Sequence, residues 1–161
     1  MCITRLHARV PSCKLDSVAT LQGYDLRFHK KSSDGSGKCN AFHTGNTKDV
    51  VLGVIFDIDA KDKKKLDDAE GLGKGYHEEP ILHVVTIPGI EVVPVLIYVA
   101  DSNYINNSLV PFTWYMDFVA EGAKQHCFPA WYMSKLQAVA LTAVPDTDSA
   151  MDAANRSLLP C

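Results

Sequence analysis

Residues 49–57 read DVVLGVIFD, a β-branched and nearly continuous apolar run. Its length suits a strand, and its lack of alternation suits a strand covered on both faces. Upstream, Gly23–His29 (GYDLRFH) alternates, with Tyr24, Leu26 and Phe28 on one side. Ser32–Gly37 (SSDGSG) is a turn by composition, Lys38–His43 reads as a short strand pairing back, and Gly45-Asn46 makes a second turn. Three strands joined by short turns predict an antiparallel meander. Downstream, Asp59–Glu70 (DAKDKKKLDDAE) predicts a short helix, with Asp59 or Asp62 capping its start and Gly71 ending it. Strands near Ile81–Ile87 and Glu91–Ala100 follow, with a turn at Pro88-Gly89. Pro94 assigns the second of them to a sheet edge or a bulge.

After Asn107 the pattern becomes helical. Phe112–His126 places Tyr115, Phe118, Val119, Gly122 and His126 at spacings of three and four. Pro129 suits the first turn of another helix, carrying Trp131, Met133, Leu136, Val139 and Ala140. Trp114 and Trp131 read as packing residues, and Lys61–Lys65 as a solvated helix face. Residues 145–161 form either a weak C-terminal helix or a tail. The fold class is α+β: a small, mainly antiparallel β-barrel or sheet with flanking helices, in one domain over 1–161.

Composition narrows the function. Of 161 residues, 47% are hydrophobic and 22% charged, which excludes collagen-like, disordered and disulfide-scaffold chains. Sixteen basic against 19 acidic side chains give a formal charge of -3, without the basic surplus of a nucleic-acid binder. Neither a membrane surface nor a membrane-spanning helix is expected. Met1–Val10 lacks the apolar centre of a signal peptide. Cysteines 2, 13, 39, 127 and 161 are odd in number and widely spaced, without a CxxC, so free thiols in a reducing cytoplasm are expected. A nucleophile elbow, a P-loop and HExxH are absent, and His77 and His83 lack a usual metal spacing. The spacing of possible ligands therefore predicts no metal.

Glu70 is the residue most suggestive of chemistry. It lies four residues after Leu66 and shares an inward stripe with Leu66 and Ala69 on an otherwise polar helix. In the last turn the helix dipole disfavours its charge, and partial burial acts the same way. Both raise a carboxyl toward the range of a general base and acid. A solvated residue at a frayed helix end fits the same pattern. Gly71, Gly73 and Gly75 alternate in EGLGKGY, after a helix rather than between strand and helix, so they are no dinucleotide fingerprint. They allow close backbone approach beside the carboxylate, or simply make a surface turn. Tyr98, in LIYVA, and Tyr115, in PFTWYMDF, each offer a ring and a hydroxyl to a polar substrate, or serve the core.

Leu66–Tyr76 (LDDAEGLGKGY) resembles the signature of the γ-glutamylcyclotransferase family. So do Pro111–Leu136 and the pair GKCNAF (Gly37–Phe42) and GVIFDID (Gly53–Asp59). The resemblance implies a small barrel with flanking helices and release of 5-oxoproline from γ-glutamyl amino acids or γ-glutamyl amines. Glu70 matches the family's catalytic glutamate. The resemblance also implies that Gly71 and Gly75 shape the turn and that Tyr98 and Tyr115 line the pocket. It implies a cytoplasmic enzyme of glutathione metabolism with a small-molecule γ-glutamyl substrate, no metal or cofactor, and no nucleic-acid or membrane partner. Monomer and homodimer both stay open. Family members begin with a strand ending in a Tyr-Gly-Ser-Asn loop that holds substrate; MCITRLHARVPS resembles the segment after it. From that follow an expected open strand edge, weak activity of the chain as written, and the alternative of an inactive member serving as a binding module.

Overall fold

The computed structural model describes residues 2–87 and 92–159, with backbone alone at Leu82 and His83. In chain order the elements are α1 (Ile3–Arg9), β1 (Lys14–Gln22), β2 (Tyr24–Lys31), β3 (Gly37–His43), β4 (Val50–Asp57), α2 (Lys63–Glu70), β5 (Tyr76–Ile87), β6 (Val92–Ala100), α3 (Thr113–Gln125), α4 (Ala130–Ala140) and α5 (Ser149–Arg156). The turn expected at Pro88-Gly89, the side chain of His83, and Cys161 lie outside the described residues.

Four antiparallel strands form one sheet in the order β4-β1-β5-β6, and β2 and β3 form a separate hairpin. The hairpin packs β2 against β4 and β3 against β6, which curls the whole into a half-barrel flanked by helices. The expected three-stranded meander is corrected here. β4 pairs not with β3 but with β1, from Lys14↔Asp57 to Gln22↔Val50. β1 (KLDSVATLQ) escapes a reading by pattern because its load of apolar side chains is small. Ala19 and Leu21 alone are buried, and backbone pairing to β4 and β5 holds the strand.

The apolar run of β4 is covered on both faces, as its composition requires. Val51 joins Ala19, Leu21, Tyr24, Ile81 and Val84, while its neighbour Leu52 joins Phe28, Met116, Ala123, Tyr132 and Leu136. Each such side chain contributes about 1.5–3 kcal/mol when fully buried. Pro94 lies on the edge strand β6, where its pairing with β5 slips register. On α4, Tyr132 and Leu136 face the core, whereas Trp131 is 56% exposed, contrary to its reading as a packing residue. The helix phase set by Tyr132 and Leu136 turns Trp131 outward. Residues 149–156 are a helix, and the Asp148 carboxylate accepts from the N–H groups of Ala150 and Met151 at its start.

A buried polar chain ties the hairpin to the sheet. The Ala100 N–H donates to Asn40 Oδ1, Asn40 Nδ2 lies 3.0 Å from His29 Nε2, and His29 Nδ1 lies 3.0 Å from Asn107 Oδ1. An amide donating to Nε2 leaves the ring proton on Nδ1, facing the Asn107 oxygen.

Candidate active site

Glu70 is the last residue of α2, and Gly71 ends the helix in the left-handed conformation, with φ 76° and ψ 44°. The turn that follows carries the chain into β5 at Tyr76. Leu66 and Glu70 are half-buried, but Ala69 is exposed, so the inward stripe consists of the first two. The preceding lysine run is not uniformly solvated either. Lys63 folds back onto Asp67, Glu78 and Tyr98.

Side chains of four further elements, α1, β2, β3 and β5, act electrostatically on Glu70. β2 and β3 slip register between Arg27 and Lys30, which leaves Cys39 opposite a bulge. Its main-chain groups turn to side chains instead. The Cys39 N–H donates to the Tyr115 hydroxyl at 3.1 Å, and the Tyr76 hydroxyl donates to the Cys39 carbonyl at 2.6 Å. Glu70 acts electrostatically on Tyr76, Cys39, Arg5 and Lys30. Glu70, Cys39 and Tyr115 all keep some exposed surface, yet burial dominates their titration. Desolvation together with partial exposure implies that the three groups share a recess.

Burial pushes the Glu70 carboxyl above its ordinary value, against the opposing pull of Arg9, Arg5 and Lys30. Among the described residues its carboxylate has no hydrogen-bond or ion-pair partner. Burial likewise pushes the Cys39 thiol up to about 11 and the Tyr115 and Tyr76 hydroxyls well above their usual range. These three therefore stay protonated at neutral pH, and the recess contains one titrating acid, Glu70.

Tyr115 thus shares the neighbourhood of Glu70. Tyr98 takes a position near the preceding turn of α2: its hydroxyl donates to Asp67 Oδ1 at 2.6 Å and accepts from Lys63 Nζ at 3.3 Å. Arg5, Arg9, Lys30, Cys39 and Tyr76 were not singled out by sequence. Tyr76 closes the EGLGKGY motif and carried a signal; the others carried none.

Gly75, with φ 107°, is held where a side chain cannot go. A Cβ there would stand 2.7 Å from the Tyr104 ring and 2.9 Å from Lys30 Cε. Gly75→Ala is expected to cost about 1–3 kcal/mol through backbone strain, read as a fall in Tm of about 2–12 °C. An unchanged Tm would show that the turn tolerates a β-carbon.

A curled half-barrel with a desolvated glutamate at the end of a short helix defines the class of protein. Residues 50–136 match the sequence model described as the AIG2-like family. Human γ-glutamylcyclotransferase is 30% identical over 144 residues, spanning 84% of this chain and 71% of the relative. The bovine enzyme of that name is 28% identical over 143 residues, with the same coverage. A solved γ-glutamyl cyclotransferase superposes with a TM-score of 0.76 at 25% identity, covering 91% of this chain and 84% of its own. The crystal structure of an uncharacterized human protein gives 0.74 at the same identity and coverage. The chain belongs to the AIG2-like family, among relatives of γ-glutamylcyclotransferase.

Proposed function

We propose that this chain is a γ-glutamylcyclotransferase, releasing 5-oxoproline from γ-glutamyl amino acids or γ-glutamyl amines with Glu70 as acid and base. The observation that carries the reading is the single unpaired, desolvated carboxylate in a recess otherwise lined by protonated or cationic groups. Glu70 takes a proton from the substrate's α-ammonium group. The freed amine attacks the γ-carbonyl carbon, and a five-membered ring closes through a tetrahedral intermediate. The bond to the distal nitrogen then breaks as Glu70 returns its proton to that nitrogen. The second proton, lost from the attacking nitrogen, also ends on the leaving amine, which departs as an ammonium ion. The attack is intramolecular, so the protein's task is to hold the folded substrate and move protons.

The free thiols of Cys2, Cys13, Cys39 and Cys127 support a reducing, cytoplasmic setting. No helix among the described residues is long and apolar enough to cross a membrane.

The test is incubation of the purified chain with a γ-glutamyl dipeptide, with 5-oxoproline and the free amino acid measured together. Equal amounts of both are expected. Binding without turnover would leave the chain a binding module. Because burial raises the Glu70 carboxyl, the acidic limb of kcat/KM is expected above the ordinary glutamate value of about 4.3, with activity rising as Glu70 ionises. The groups that interact electrostatically with Glu70 are Arg5 and Arg9 from α1, Lys30 from β2, Cys39 from β3 and Tyr76 from β5. A limb at or below the ordinary value would contradict the burial of Glu70.

A further inference from the structure

Lys30 is the second unusual charge of this recess. The residue is 7% exposed, at the end of three consecutive buried positions, Phe28, His29 and Lys30. A regular strand alternates its faces, and the bulge opposite Cys39 breaks that alternation. A buried ammonium normally has a carboxylate or several acceptors around it. Among the described residues Lys30 has neither an ion pair nor a hydrogen bond for its Nζ. Two rings flank it, Tyr76 at 4.5 Å from Nζ and Tyr104 at 5.9 Å, while Lys38, Asp34, Asp101 and Glu70 act on it electrostatically without pairing. Gly75 lets its stem pass, as the close approach to Cε shows.

Lys30 and Glu70 act on each other electrostatically without pairing. An unpaired ammonium and an unpaired carboxylate in one recess are the complement of an α-amino-acid zwitterion, whose ammonium and carboxylate sit on one carbon. Arg5 adds to the surplus of positive charge. Its guanidinium lies over the Phe118 ring at 4.4 Å, without an ion pair among the described residues. We propose that the Lys30 ammonium binds the α-carboxylate of the substrate, so that the neighbouring α-ammonium is delivered to Glu70. The proposal rests on the γ-glutamylcyclotransferase reading. It makes Lys30 a binding residue that selects substrates carrying a free α-carboxylate.

Two probes separate the proposal from the reading beneath it. The first is turnover of a γ-glutamyl dipeptide and of the same compound with its α-carboxylate converted to a carboxamide. Wild type is expected to favour the carboxylate by about 10- to 100-fold in KM, the range of a charge-assisted hydrogen bond. Lys30→Met keeps the apolar stem and should erase that preference with a smaller change in kcat, while Lys30→Arg restores part of it. Wild type turning over both compounds equally would overturn the proposal without recourse to any variant. So would a Lys30→Met chain, folded by circular dichroism, that keeps the preference. The second probe is binding of 5-oxoproline against its carboxamide, followed by the shift of the 13C-labelled Lys30 Cε resonance. A shift on adding 5-oxoproline alone, in a chain that makes no 5-oxoproline, would keep the carboxylate anchor and overturn the enzyme reading. No shift with either ligand would overturn the anchor even in an active enzyme.

Discussion

Glu70→Gln is expected to slow 5-oxoproline release by about 10²- to 10⁴-fold, the usual contribution of a general acid–base group. The amide keeps the shape of the side chain but cannot accept the α-ammonium proton. The fold should not suffer. A carboxyl raised above its unfolded-state value binds its proton more tightly in the folded protein, so its contribution to stability is greatest at low pH. That contribution is lost as pH rises through the folded value. At neutral pH the ionised Glu70 therefore subtracts from stability, and removing its charge should leave Tm unchanged or slightly higher. Arg5, Arg9 and Lys30 pull the other way, but burial outweighs them. Turnover by the Gln variant at the wild-type rate would remove Glu70 from the mechanism. A large fall in Tm would recast it as a structural residue.

Helix phase, helix end and a following glycine all drew attention to Glu70 in the sequence but left open a solvated residue at a frayed end, and the family resemblance added the role proposed for it. The same kind of local signal gave the β2–β3 hairpin, the two strands of β5 and β6, and the helices α3 and α4. What escaped depended on distant partners. β1 is polar and small because backbone pairs to β4 and β5 hold it in place, and no periodicity reports that. Without β1, β4 could only be assigned to the neighbour nearest in sequence, which produced the false meander. α1 has a single buried side chain, Leu6, so its amphipathic signal is weak, yet it brings Arg5 and Arg9 to Glu70. The Cys39 bulge was equally invisible, since LRFHKK gives no hint that three successive side chains turn inward. The residue proposed for proton transfer therefore drew attention in the sequence, and the cations proposed to hold substrate charge emerged with the structure.

Gly37→Ala is expected to destabilise the protein more than any other glycine-to-alanine change in its strands. Gly37 opens β3, and its N–H donates to the Val110 carbonyl at 2.9 Å. A Cβ at this position would stand 2.1 Å from the Phe28 carbonyl oxygen, 3.1 Å from its carbon and 3.3 Å from Leu109 Cβ. The obstruction is backbone, which no rotamer change relieves. Either the hairpin opens at the bulge or the Phe28 peptide turns, and Phe28 is buried against Leu52, Met116 and Tyr132. Overpacking in a core costs about 1–3 kcal/mol, occasionally more, and the upper end applies where backbone must move. For a chain of this length that corresponds to a fall in Tm of about 6–12 °C. Lys30 lies two residues beyond Phe28 on the same strand, so 5-oxoproline release should fall with it, through KM first. Gly53→Ala is the internal control. Gly53 lies in β4 with open space around its Cβ position, and the change should stay within about 0.5 kcal/mol. Equal effects at the two glycines would mean that the hairpin yields at the bulge, and that the close approach at Gly37 does not hold Lys30 in place.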